Sequence, residues 1–182
     1  DEDTIRVIVG YATDEDPELR RMAVYTMGYV NPTLFAEQLA QAVQDPVMEV
    51  RRVGLEAIGY GWPPSPEKLS ALEYCLRDES RDVRQLAVEF LGTYGEEAVP
   101  LLMDALEDPE DWVRVRAVEA LGQNRVAAAV PKLVTMMENS NLLVQLKITE
   151  ALGQIGGDVA FQALLGFMSY DSPEIQAAAA EA

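Results

Sequence analysis

Asp108-Pro109-Glu110-Asp111-Trp112-Val113-Arg114-Val115-Arg116-Ala117-Val118-Glu119-Ala120-Leu121-Gly122 reads as one amphipathic helix with its start signal attached. Aspartate can cap the free amides at a helix start, and proline suits the first turn, where its missing N–H is not needed. Val113, Ala117 and Leu121 then recur at four-residue steps, which puts them on one helical face. The stretch decides the fold because it recurs.

A glycine follows an apolar residue at Met27-Gly28, Ile58-Gly59, Leu91-Gly92, Leu121-Gly122 and Leu152-Gly153, with spacings of 31, 33, 30 and 31 residues. Eight residues before each glycine stands Arg20, Arg51, Arg84, Arg114 or Gln145. Nine before stands Leu19, Val50, Val83, Val113 or Val144, the column we assign to the core, and five before stands Ala23, Gly54, Ala87, Ala117 or Ile148. A sixth unit opens at Asp171 and keeps the register, with Gln176 falling 31 residues after Gln145. It ends at Ala182 before its apolar-glycine pair, so the chain is expected to be a piece of a longer protein or trimmed at its ends.

Each unit is expected to hold two helices. Asp16-Pro17, Asp45-Pro46, Asp108-Pro109 and Ser172-Pro173 mark starts of the second, and first helices are predicted over 32–43, 66–76, 98–106, 130–137 and 159–168. Loops are short except Gly61-Trp62-Pro63-Pro64-Ser65-Pro66, which accounts for the 33-residue spacing. A unit this small cannot bury its apolar face alone, whereas stacked copies bury it between neighbours. The expected fold is an all-α, right-handed α-solenoid of about six two-helix repeats, forming one domain over residues 1–182.

The pattern D-P-x-x-x-V-R-x-x-A-x-x-x-L-G resembles the HEAT-like repeats named after phycobilisome lyases, over nearly the whole chain. The resemblance implies the fold and an inter-repeat Asp–Arg ladder. It bears little on function, because the same repeat serves scaffolds, lyase subunits and signalling proteins.

Asp45, Asp78 and Asp108 lie six residues before Arg51, Arg84 and Arg114, and in unit five both partners lose charge together, as Asn139 and Gln145. That points to a structural role for the arginines, bonded within a unit or along a ladder, rather than a basic binding stripe. The glycine column serves close packing or a positive backbone angle; no phosphate-binding glycine motif occurs.

Chemistry is sparse. Histidine is absent, which removes the commonest general base and metal ligand. Cys75 sits between Tyr74 and Leu76 in a predicted helix, where a buried thiol is expected, and one cysteine makes no internal disulfide. No EF-hand loop accompanies the acidic clusters. We assign no catalytic residue, no metal and no cofactor. A net charge of −17 repels phosphate backbones and favours basic partners or simple solubility. No apolar run approaches the roughly 18 residues of a membrane helix, and a cytoplasmic setting is expected.

One column is not explained by packing. Three residues before each glycine, nearly opposite the core face, stand Tyr25, Glu56, Glu89, Glu119 and Glu150. Tyr29, Tyr60, Leu86, Trp112 and Val115 are placed on the same face, which the resemblance implies is concave. These ten residues are the expected surface for a partner protein or peptide, one carrying basic segments, with Trp112 at its centre. The rival readings are a bilin-lyase-type subunit handling a tetrapyrrole and a nucleic-acid-binding helical repeat, the latter disfavoured by charge.

Overall fold

The computed structural model describes residues 2–182, and the described residues form twelve α-helices without a β-strand. They pair as α1 (Glu2–Tyr11) with α2 (Pro17–Val30), α3 (Ala36–Ala42) with α4 (Met48–Gly61), and α5 (Pro66–Cys75) with α6 (Arg81–Gly92). The remaining pairs are α7 (Val99–Ala105) with α8 (Asp111–Gln123), α9 (Val130–Met136) with α10 (Leu142–Ile155), and α11 (Gly157–Phe167) with α12 (Pro173–Glu181). The result is an all-α repeat solenoid whose internal contacts gather into two compact units, one ending at Phe90 and the other starting at Leu91.

Within each unit the second helices pack on one another, α2 on α4 and α8 on α10, with α3 against α4 and α7 against α8. The core is the predicted set of columns. Val50, Val83, Val113 and Val144 are buried, as are Ala87, Ala117, Ile148 and every apolar residue preceding a column glycine. In the sixth repeat, Ile175 and Ala179 are buried in the register of Val144 and Ile148. Leu19 departs from its column and is exposed on α2.

Several helix starts differ from the sequence reading. Asp16 and Ser172 do cap α2 and α12, accepting from the Glu18 amide at 2.9 Å and the Ile175 amide at 3.4 Å. Asp45-Pro46 and Asp108-Pro109 lie ahead of α4 and α8, which begin at Met48 and Asp111. Their carboxylates instead close tight turns, accepting from Val47 N at 2.8 Å and Glu110 N at 2.9 Å. Asp14 and Asp78 do the same for Asp16 N and Ser80 N, at 2.9 and 2.8 Å. The Asp-Pro pairs are thus not equivalent: the repeating aspartate is the one six residues before the arginine. Residues 32–35 likewise form a turn ahead of α3 rather than its first helical turn, and Phe35 in it is buried.

The repeating aspartate and arginine interlock. Arg51 Nη1 donates to the Asp45 carbonyl of its own repeat at 3.0 Å, while Nε and Nη2 grip the Asp78 carboxylate of the next at 2.7 and 2.9 Å. Arg20 repeats this with the Asp14 carbonyl and the Asp45 carboxylate. Burial works to raise the Asp45 pKa. The Arg20 hydrogen bond, the Val47 amide and the charges of Arg20 and Arg51 outweigh it and hold the group below the ordinary carboxylate range. The pattern changes where Asn139 replaces the aspartate. Arg114 keeps its bond to the Asp108 carbonyl but turns its other nitrogen onto Asp111, which also receives the Asn141 amide. The Gln145 side chain donates to Met137 O instead, at 2.7 Å.

The column glycines are there for close approach. A Cβ on Gly28 would lie 2.5 Å from that of Ala57, one on Gly122 would lie 2.8 Å from that of Ala151, and none of the five column glycines has a positive φ. Gly59 faces Phe90 where the other interior column glycines meet alanines, and its Cβ would fall 2.3 Å from the ring.

Candidate functional site

The face opposite the core on α2, α4, α6, α8 and α10 carries nine of the ten expected residues at its surface. Tyr25, Tyr29, Tyr60, Glu89, Trp112 and Glu150 are exposed, while Glu56, Leu86 and Glu119 are half-buried. Val115 is the correction. At 2% exposed it belongs to the core and presents nothing to a partner. It stands one residue after the column arginine, whereas Met22, Val53 and Leu86 stand two after; the equivalent of those is Arg116. Register alone does not bury it, since Arg52 in the same position of α4 is exposed and Val53, one residue further, is buried; the helices packed against α8 do.

The first unit gathers part of this face into a groove of about 330 Å³, walled by Tyr25, Tyr29 and Tyr60, with Val53 and Ala57 inside and Glu56 at its edge. The rings of Tyr25 and Tyr29, one helical turn apart, lie nearly parallel at 12° with centroids 6.5 Å apart. Tyr60 is set from behind, its ring meeting that of buried Phe90 edge-on at 4.9 Å. Phe90 reaches that place because Gly59 has no side chain. The end of α4 beyond Tyr60 is pinned by the long loop. Trp62 Nε1 donates to Pro32 O at 3.0 Å, and buried Lys68 donates to the carbonyls of Gly59 and Trp62 at 2.7 and 2.9 Å. Burial lowers the Lys68 pKa.

The glutamate stripe is not bare. Arg52 pairs with Glu56 at 2.5 Å. In the second unit Arg116 reaches Glu119 at 3.0 Å, and Lys147 bridges Glu119 and Glu150, each at 3.0 Å. The hydrogen bonds that Lys147 donates to Glu150 and Glu119 raise its pKa. Glu89 alone in the stripe has no ion-pair partner among the described residues. These cations were legible in the sequence as pairs three and four residues apart, Arg52 with Glu56, Arg116 with Glu119 and Lys147 with Glu150. The stripe is therefore locally neutralised at Glu56, Glu119 and Glu150. Trp112 itself is 52% exposed.

Cys75 is buried, and burial pushes its thiol up to about 12, far from a reactive thiolate at neutral pH. Among the described residues no group of three His, Cys, Asp or Glu is placed to hold a metal ion, and no helix is long and apolar enough to cross a membrane.

The profile of HEAT repeats matches residues 36–114 and 99–182. The chain belongs to the HEAT-repeat family. Solved structures of the same architecture include human deoxyhypusine hydroxylase, 25% identical, with a TM-score of 0.57 over all of this chain and 73% of that one. The CpcE–CpcF complex of phycocyanin lyase from Nostoc sp. PCC7120 is 20% identical, with a TM-score of 0.64 over 96% of this HEAT-repeat chain and 73% of that one. A designed armadillo repeat protein in complex with the peptide (KR)4 is 18% identical, with a TM-score of 0.60 over 95% of each chain. No curated protein matches the chain.

Proposed function

We propose that this HEAT-repeat chain is a protein-interaction scaffold that holds a partner protein or peptide against its second helices, and that it works by binding rather than catalysis. The observation that carries the reading is the cluster of Tyr25, Tyr29 and Tyr60, whose large rings stand in solvent around one groove. Exposed tyrosines supply contact area at low cost in side-chain entropy and are enriched among interface hot spots. Their hydroxyls make no hydrogen bond among the described residues, so the fold has no evident use for them. The absence of histidine and the buried, inert thiol support a binding role. A net charge of −17 supports a partner with basic segments over nucleic acid, and a cytoplasmic setting suits a chain with a single, buried cysteine.

With this groove in view, our reading takes the tyrosines of the first unit, rather than Trp112, as the centre of the surface. A pull-down from native lysate tests this with wild type, Tyr25→Ala/Tyr60→Ala and Trp112→Ala. The double variant is expected to lose partners that Trp112→Ala retains. A folded double variant that captures every partner wild type does would overturn the reading.

A further inference from the structure

We propose that the tyrosine groove is an arginine-accepting subsite, in which the guanidinium of a partner stacks on the rings of Tyr25, Tyr29 and Tyr60 and bonds to Glu56 in place of Arg52. The inference rests on the partner-binding reading above and adds the chemistry of what enters. Two kinds of group meet at the groove. Aromatic faces attract a cation through the ring quadrupole, and a planar guanidinium also stacks on them, which an ammonium does not. A carboxylate beside the rings supplies the forked acceptor that a guanidinium matches.

Arg52 shows what Glu56 takes. Its guanidinium already donates to Glu56 Oε1 from one turn away on α4, and it holds that carboxylate loosely, because the two side chains are 46% and 33% exposed. Exposed pairs of this kind contribute little, so an incoming guanidinium displaces Arg52 at small cost. Arg52 is then an internal competitor, freed into solvent when the site fills. The surroundings favour a cation on other grounds. Neither α2 nor α4 has a basic residue in its last turn, where Tyr29 and Tyr60 sit and where the helix dipole is negative. Further along the same face of the unit, Glu89 on α6 is exposed and has no ion-pair partner among the described residues. The basic residues of this face, Arg21 and Arg52, lie toward the helix starts and are paired with Glu18 and Glu56. The groove, of about 330 Å³, suits one side chain and not a folded surface element.

Fluorescence anisotropy with a labelled Arg-Gly-Ser repeat peptide, and its citrulline counterpart, tests the proposal at low salt on the intact chain. Citrulline keeps the shape of arginine and removes its charge. Wild type is expected to bind the arginine peptide about tenfold more tightly than the citrulline one, the scale of one desolvated cation–π contact with a charged hydrogen bond. Glu56→Gln should weaken the arginine peptide about tenfold, and Tyr25→Ala/Tyr29→Ala should abolish the preference. Arg52→Ala should tighten binding several-fold, which neither a structural role for Arg52 nor diffuse attraction to an acidic chain produces. Glu150→Gln controls for that diffuse attraction. The proposal is overturned if Glu150→Gln weakens binding as much as Glu56→Gln, or if Arg52→Ala leaves binding unchanged or weaker. It is also overturned if the peptides do not bind while captured partners still depend on Tyr25 and Tyr60; in that case the surface stands and the arginine chemistry falls. If neither peptides nor partners depend on the tyrosines, both readings fall together.

Discussion

Replacing Arg51 by alanine should be among the most damaging single changes in the first unit. Its guanidinium makes five hydrogen bonds: two to the Asp78 carboxylate, one to Glu79 at 3.1 Å, and one each to the carbonyls of Asp45 and Pro46 at 3.0 and 3.2 Å. The Asp78 side chain is only 4% exposed, and without Arg51 the donor left to it among the described residues is the Ser80 amide. Breaking a buried pair while stranding its partner costs about 3–5 kcal/mol, which is a third or more of the stability of a marginal domain. Gln145, in the same column, makes one neutral bond to Met137 O, so Gln145→Ala should cost about 1 kcal/mol. Urea denaturation reads the difference. In a Trp112→Phe background, Trp62, buried in the same unit as Arg51, is the one remaining tryptophan and reports that unit. With a slope near 2 kcal/mol/M, the Arg51→Ala midpoint should fall by roughly 2 M with m unchanged. Arg51→Met/Asp78→Leu should recover much of the loss, because the apolar pair leaves no buried charge behind. Equal, small shifts for Arg51→Ala and Gln145→Ala would refute the reasoning and make the arginines surface groups.

Three further outcomes are expected. Gly122→Ala should destabilise by about 1–3 kcal/mol, since its Cβ would sit 2.9 Å from the Ala151 Cα, whereas Gly10→Ala, facing open space in α1, should stabilise by roughly 0.5–1 kcal/mol; thermal melts of like sign would contradict this. The folded-state pKa of Asp45 is depressed, so the Arg20–Asp45 pair contributes fully above the unfolded value of about 3.9 and is lost as pH falls through the folded one. The stability gap between wild type and Asp45→Asn should therefore shrink from pH 7 to pH 3, and a constant gap would count against it. In α12 only Ile175 and Ala179 are buried, so hydrogen exchange should be fast over 174–182 and slow over 113–121, and uniform protection would show that another contact caps the end.

The sequence by itself determined the repeat, the helix pairing and the buried columns. Those depend on near-neighbour physics: a helical face recurs every three to four residues, and each repeat needs only the next copy to bury it. The arginine column was legible as structural because Asn139 and Gln145 lose charge together. Its partners were not, since one arginine bonds a carbonyl six residues back and a carboxylate 25 or 27 residues ahead, and only packing brings those together. The binding face divides the same way. Tyr25, Tyr29 and Tyr60 follow from the helical period. The burial of Val115, the exposure of Leu19 and the Phe90 ring that sets Tyr60 depend on how neighbouring helices sit. Lys147 illustrates the limit: its pairing with Glu150 is a three-residue helical spacing, but its bridge to Glu119 exists because α8 packs on α10.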